Sequence, residues 1–195
     1  MSSTSMLHDG YWHDPDRRHA MMQRRVFGAA TALLDEVPHA RKLPTAPELA
    51  RRAGITQSTL CAHFPSVDAV FAGLYLDRMR RLPLTVDPTM PPRRRVGEQL
   101  RMITLLCADQ PDLALACNRS LLSDDGTVLD IRIRIGEELH RRIAATAGSG
   151  AWPEVVAALQ TMFWGALLQV QTTRLTCQSL LARLDTMVSL ILADD

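Results

Sequence analysis

Gln57, Ser58 and Ala62 are side chains that could read a surface rather than build a core. A glutamine amide matches the paired donor and acceptor of adenine N6/N7, a serine hydroxyl donates or accepts, and an alanine methyl fits against a thymine methyl. Thr45, Thr56, Thr59, Cys61 and His63 lie close by in the chain. Threonine hydroxyls and a histidine ring suit phosphate oxygens, which position a protein on a duplex without specifying sequence. Together these residues predict a surface that reads double-stranded DNA.

Such chemistry needs a rigid platform, and residues 45–64, TAPELARRAGITQSTLCAHF, specify one. Thr45 and Glu48 have the spacing of a capping box, so each can satisfy a backbone donor at a helix start. Leu49 and Ala50 begin an inward face, and Gly54 supplies a turn residue that takes positive φ without steric cost. Thr56 caps a second helix that buries Ile55, Leu60 and Phe64 and leaves Gln57, Ser58, Cys61, Ala62 and His63 toward solvent. A helix this short is unstable alone. Neighbours must hold it, which frees its outer face in the manner of a helix-turn-helix.

The whole chain is compatible with that reading. Its 195 residues are 47% hydrophobic, enough for a full core. No run of about 18 apolar residues predicts a membrane span, and the N-terminal residues lack the apolar core of a signal peptide, so a cytoplasmic protein is expected. The formal charge is +1. Residues 1–82 carry 11 Arg/Lys against 8 Asp/Glu, and residues 83–195 carry 11 against 13, so the mildly basic half is the one holding the helix-turn-helix. Cys61, Cys107, Cys117 and Cys177 show no C-x-x-C spacing, which argues for reduced thiols and against a metal site. No cofactor is expected. G-x-G-x-x-G, P-loop, G-x-S-x-G and H-E-x-x-H patterns are absent, which argues against an enzyme. Glu137, Glu138 and His140 are close on one helix in the wrong order for a zinc protease and read as a charged surface.

Periodicity predicts helices throughout, about nine in all. Residues 1–13 form a polar arm. Asp14-Pro15 opens a first helix that ends at Pro38, with Arg17, Arg18, Arg24 and Arg25 exposed on it, and Arg41 and Lys42 fall in the following loop. Ser66 caps a fourth helix whose inward stripe is Val70, Phe71, Leu74, Tyr75, Met79 and Leu82. Arg78, Arg80 and Arg81 favour the negative end of its dipole. Four prolines within residues 83–92 mark a domain boundary. Helices then follow at 93–108, 111–122, 127–147, 153–172 and 176–192, the third with Arg132, Arg134, Glu138, Arg141 and Arg142 dispersed around its outer faces. The last two are so apolar that they are either buried in their own core or paired with another subunit.

RRVFGAATALLDEV followed by TAPELARRAGITQSTLCAHFPSVDAVFAGLY resembles the N-terminal domain of the TetR/AcrR family of bacterial transcriptional regulators. The match runs through Thr45, Leu49, Ala50, Ala53, Gly54, Ile55, Thr56, Thr59, Leu60, His63, Phe64, Ser66, Asp68 and Val70. It departs at Cys61 and Val67, where the family usually carries Tyr and Lys. The resemblance implies an all-α protein, with a DNA-binding domain over residues 14–82 and a ligand-binding and dimerisation domain over residues 83–195. It implies a homodimer on a pseudo-palindromic operator, and a repressor released by a small apolar or amphipathic effector. Candidate pocket residues are Met102, Leu105, Leu106, Asn118, Arg119, Trp152, Phe163, Trp164 and Gln171. Candidate dimer residues are Leu159, Phe163, Leu167, Val170, Leu180, Leu184, Met187, Val188 and Ile191. Loss of the two usual phosphate anchors leaves two alternatives, a helical ligand-binding or scaffold protein with weakened DNA binding, and a thiol-sensing regulator acting through Cys61.

Overall fold

Prolines and capping hydroxyls decide where this chain turns helical. The computed structural model describes residues 15–36, 42–84, 86–149, 151–172 and 176–192. Among them are nine helices and no strand: α1 (Pro15–Glu36), α2 (Ala46–Ala53), α3 (Gln57–His63), α4 (Val67–Arg81), α5 (Pro92–Thr104), α6 (Pro111–Ser120), α7 (Gly126–Ala147), α8 (Pro153–Thr172) and α9 (Cys177–Ile191). α1, α5, α6 and α8 open on proline, whose missing N–H costs nothing at a first helical position. Thr45, Thr56, Ser66, Asp125 and Thr176 cap α2, α3, α4, α7 and α9 through their side-chain oxygens. The N-terminal arm 1–13, the end of the first helix at Pro38, and Arg41 lie outside the described residues.

Two boundaries differ from the periodicity. α5 stops at Thr104 rather than at 108, and residues 105–109 form a turn. Its backbone donors shift to carbonyls three residues back, Leu106 N–H to Ile103 and Ala108 N–H to Leu105. Pro111 cannot continue a helix and biases Gln110 away from it, so the chain must unwind ahead of it. α6 likewise ends at Ser120, in a turn through Leu121 and Leu122.

α1, α2 and α3 pack around one another, and α1 lies on α4. α4 also lies on α6 and α7, and α5, α7, α8 and α9 complete the body. Ala69, Val70, Phe71, Ala72, Leu74, Tyr75, Leu76 and Met79 are all buried, so α4 is covered on more than the single stripe expected. The small Ala69 and Ala72 let a second layer approach the face that a one-sided helix would leave wet. The proline-rich stretch interrupts the helices but not the core, for the buried apolar residues form one cluster from Val26 to Val188. Phe71 is fully buried, and its truncation to alanine would cost about 3–5 kcal/mol.

The end of α4 is held by a buried charge. Arg142 on α7 is 1% exposed, not on an outer face as its position in the sequence suggested. Its guanidinium donates to the carbonyl oxygens of Leu82 at 2.9 Å, Arg80 at 3.3 Å and Pro83 at 3.4 Å. The last carbonyls of a helix have no partner within it and must find one elsewhere. Glu138, one turn earlier on α7, accepts from Arg142 Nε at 2.6 Å and from Arg141 at 2.7 and 2.9 Å. Burial pushes the Glu138 carboxyl up, but the hydrogen bonds from Arg141 and Arg142 outweigh it and leave the group below its ordinary value. Desolvating two ions costs several kcal/mol each, so this pair stabilises only as a complete set.

Arg142→Ala therefore removes the buried partner of the Glu138 carboxylate, leaving it only the exposed Arg141, and takes the donor from three carbonyls at once. It should lower unfolding free energy by about 3–5 kcal/mol, read by urea denaturation. Arg141→Ala, which removes an exposed partner of the same carboxylate, should cost about 1 kcal/mol or less.

Candidate nucleic-acid interface

α3 owes its position to its neighbours. Thr45 Oγ1 accepts from the Glu48 N–H, and Glu48 Oε2 accepts from the Thr45 N–H at 2.7 Å, which completes the capping box of α2. The Thr45 backbone N–H and then its hydroxyl hold the Glu48 carboxyl below its usual range. Gly54 sits at φ 65°, ψ 40°, and its N–H reaches back to Ala50 and Arg51. Its carbonyl accepts from Arg25 of α1 at 2.9 Å, so the turn is fixed to the first helix. Leu60 and Phe64 are buried, and Phe64 packs against Phe27 with ring centroids 5.6 Å apart.

Gln57, Ser58, Cys61 and Ala62 are exposed on α3, with Thr59 and His63 half-buried beside them. Thr45 and Thr56 are exposed at the two helix starts. The expected reading residues thus share one connected surface. The Thr56 hydroxyl lies 2.9 Å from Ser58 Oγ and 2.7 Å from Thr59 Oγ1, and accepts from the Thr59 N–H at 3.1 Å. Ser58 and Thr59 are therefore held in the capping network, each with hydrogen-bonding capacity to spare on its hydroxyl. His63 faces His19 of α1 at 3.2 Å between ring nitrogens, a contact across 44 residues that the local spacing did not reveal. Arg17, Arg18, Arg24, Lys42 and Arg51 add exposed positive charge to the same group of helices. Of the two departures, Cys61 is exposed, whereas Val67 is half-buried and packed against the core.

A cavity of about 290 Å³ opens beside α4. It is lined by Tyr75 of α4, Ile103 and Thr104 of α5, Leu106 to Ala108 of the turn, Cys117 and Asn118 of α6, Leu167 of α8 and Leu180 of α9, among others. Mostly apolar walls with a few polar groups are the usual makeup of a small-molecule pocket, and this volume is at the small end of the range. The Tyr75 hydroxyl is buried without a hydrogen-bond partner, and burial pushes its pKa well above the ordinary phenol value. Of the pocket residues expected from sequence, Leu106 and Asn118 line this cavity. Leu105 lines a shallower depression against α9. Met102, Arg119, Phe163 and Trp164 are not among the cavity's lining residues. Trp152 is 73% exposed, and the side chain of Gln171 is outside the described residues. Tyr75, Cys107 and Cys117 were missed because each reads as a core position of its own helix.

The terminal helices also turn differently from expectation. Leu159, Phe163, Leu180, Leu184 and Val188 are each 3% exposed or less within the single chain. They face its own core, while Leu167, Met187 and Ile191 are half-buried and Val170 is outside the described side chains. The face left open on α8 carries Ala157, Ala158, Thr161, Gly165 and Leu168.

A helix-turn-helix head carried on a helical body with a side cavity has the form of a DNA-binding regulator. No protein-family model matches the chain. It is 38% identical over 180 residues to an uncharacterized HTH-type transcriptional regulator of Mycobacterium tuberculosis, covering 91% of this chain and 84% of that one, and equally so to its counterpart in Mycobacterium bovis. The crystal structure of a TetR transcriptional regulator from Rhodococcus sp. RHA1 superposes with a TM-score of 0.74 at 19% identity, covering 92% of this chain and 99% of that one. FadR from Bacillus subtilis, solved in complex with stearoyl-CoA, gives a TM-score of 0.55 at 14% identity, covering 87% and 97%. The chain belongs to the HTH-type transcriptional regulators, and its fold is that of the TetR regulator structure.

Gly54 tests how strictly the platform is specified. Its φ is left-handed, and an added Cβ would meet Arg25 Nη2 at 3.0 Å. Gly54→Ala should cost about 1–2 kcal/mol by thermal denaturation and should also displace the Arg25 contact that ties α1 to the turn.

Proposed function

We propose that this chain is a homodimeric repressor that reads a pseudo-palindromic operator through α3 and leaves it when a small apolar or amphipathic effector enters the cavity beside α4. The reading divides labour as the family does, with residues 14–82 engaging DNA and residues 83–195 holding effector and partner, and it places the protein in the cytoplasm. Gln57 and Ser58 would meet base edges, Ala62 a thymine methyl, and Thr45, Thr56, Thr59 and His63 phosphates. The observation that carries the ligand response is that α4 is both a wall of the cavity, through Tyr75, and a support of the reading head, through its packing on α1. No single helix among the described residues is long and apolar enough to cross a membrane.

α4 is attached to the body at three further points. The Ser66 hydroxyl caps α4 and also hydrogen-bonds Asp125, the cap of α7. Ser120 Oγ donates to Asp68 in the first turn of α4 at 2.8 Å. Arg78 donates to Gln110 and to the Leu106 carbonyl, so it is an anchor between helices and not only a charge at a dipole end. An effector that rearranges the cavity lining acts on a helix fixed at its start and at its end. Couplings of this kind amount to about 1–3 kcal/mol, or 5- to 150-fold in operator affinity.

A band shift with DNA from upstream of the coding region should show a discrete complex, and Gln57→Ala should weaken it by about 1–3 kcal/mol for the site. With phosphate anchors absent at Cys61 and Val67, the salt dependence should be shallow. Cys61→Tyr and Val67→Lys should each steepen the slope by about one unit in log–log form, and an unchanged slope would refute the phosphate role of those positions. A chain that binds ligand but never this DNA would favour the scaffold reading.

For the dimer, the open α8 face offers small residues that allow close approach of a second copy. An added Cβ at Gly165 meets nothing within 4 Å in the single chain. Gly165→Arg should therefore leave helicity intact while shifting light-scattering mass from dimer to monomer and abolishing tight operator binding, since two half-sites about 34–36 Å apart act together.

A further inference from the structure

Two buried sulfurs share the wall of the cavity. Cys107, in the turn after α5, and Cys117, on α6, both line it, and both are free thiols. The two thiols are neighbours there, close enough for each to act on the titration of the other. Arg78 of α4 reaches the same sulfur, with Nη1 3.7 Å from Cys107 Sγ. The hydroxyl of Tyr75, completely buried and without a partner, belongs to the same lining. Ala108, Pro111 and Leu115 on the lining are exposed, so the cavity communicates with solvent. Thiol beside thiol, a guanidinium on one of them, and an unengaged donor facing a solvent-connected space amount to more than two packed core residues.

We infer that Cys107 and Cys117 form a redox-active dithiol that reacts with small hydroperoxides entering the cavity and closes to an intramolecular disulfide. The Cys107 thiolate attacks the terminal oxygen of the peroxide. The O–O bond breaks, the alkoxide leaves and takes a proton to become an alcohol, and Cys107 becomes a sulfenic acid. Cys117 then attacks that sulfur; the S–S bond forms, the S–O bond breaks, and the departing hydroxide takes the Cys117 proton as water. Two thiols and one hydroperoxide thus give one disulfide, one alcohol and one water, with two electrons passing from sulfur to oxygen. The division of roles follows the environment. The Arg78 guanidinium, 3.7 Å from Cys107 Sγ, favours the thiolate of Cys107, while the fully buried Cys117 has the less favourable setting for a charge.

The consequence reaches α4. A disulfide requires the sulfurs to close to about 2.05 Å, which would draw the 105–109 turn and α6 together, narrow the cavity and replace the thiolate that Arg78 faces by a neutral disulfide sulfur. Oxidation would then bias the same helix that the proposed effector biases. This second step rests on the DNA-binding reading above; the disulfide itself does not.

The experiment treats the full chain with about one equivalent of hydrogen peroxide or of a bulkier organic hydroperoxide, blocks remaining thiols, and maps the peptides by mass spectrometry. The expected result is a dithiothreitol-reversible Cys107–Cys117 link, formed before Cys61 is modified, with Cys117→Ser accumulating a dimedone-reactive sulfenic acid at Cys107. Oxidation that starts at exposed Cys61 and leaves Cys107 and Cys117 fully alkylatable would overturn the proposal. So would dimedone labelling of Cys117 in a folded Cys107→Ser chain at the wild-type rate, since Cys107 would then not be the attacking group. Operator affinity of the oxidised chain is measured separately. A several-fold change that vanishes in Cys117→Ser supports the regulatory step, and an unchanged affinity in a chain that does bind operator refutes that step alone.

Discussion

The last carbonyls of α4 have no partner within the helix, and each needs a donor from elsewhere. Arg142 supplies it, reaching Arg80, Leu82 and Pro83 from α7, and Glu138 makes its charge tolerable there. Much of the remaining architecture follows from this constraint. The helix that supports the reading head must end against α7 at one place, because the guanidinium fork matches those carbonyls only there. The proline-rich stretch that follows is held as well, by Arg95 of α5, which donates to Asp87 and Ala147. A junction that looks in sequence like a flexible boundary is tied at both ends.

This junction makes α4 a lever rather than a linker. Its start shares the Ser66 hydroxyl with the cap of α7, its middle carries Tyr75 and Arg78 into the cavity region, and its end is clamped. The reading head leans on the same helix through α1. Under the proposed ligand response, a displacement in the lining would act on these anchors and reach the reading head as a movement of α4.

Local features of this chain were legible in its residues, and distant ones were not. The Thr45–Glu48 box, the left-handed Gly54, the Thr56 and Ser66 caps and the proline starts depend on a few adjacent residues, and they stand as expected. Arg142 and Glu138 were read as surface charges because nothing near residue 140 announces that the end of α4 arrives there from 60 residues away. Arg78 was explained by the helix dipole for the same reason. Leu159, Phe163, Leu180, Leu184 and Val188 show the limit of periodicity. It reports how apolar a face is but not what covers it, and here the cover is the chain itself. Cys107 and Cys117, ten residues apart with no recognised spacing, meet only because Pro111 forces a turn between their helices. The His19–His63 contact is invisible to any local reading.

The central claim is that the cavity and the reading surface communicate through α4, and Ala114 offers the most direct measurement of it. Ala114 lines the cavity on α6 and is only half-buried, so Ala114→Phe places bulk where an effector would sit while leaving the reading surface untouched. Operator affinity of this variant, measured with its unfolding free energy and dimer mass, should fall by 5-fold or more while fold and assembly are preserved. A stable, dimeric Ala114→Phe chain that binds operator as tightly as the parent would contradict the account.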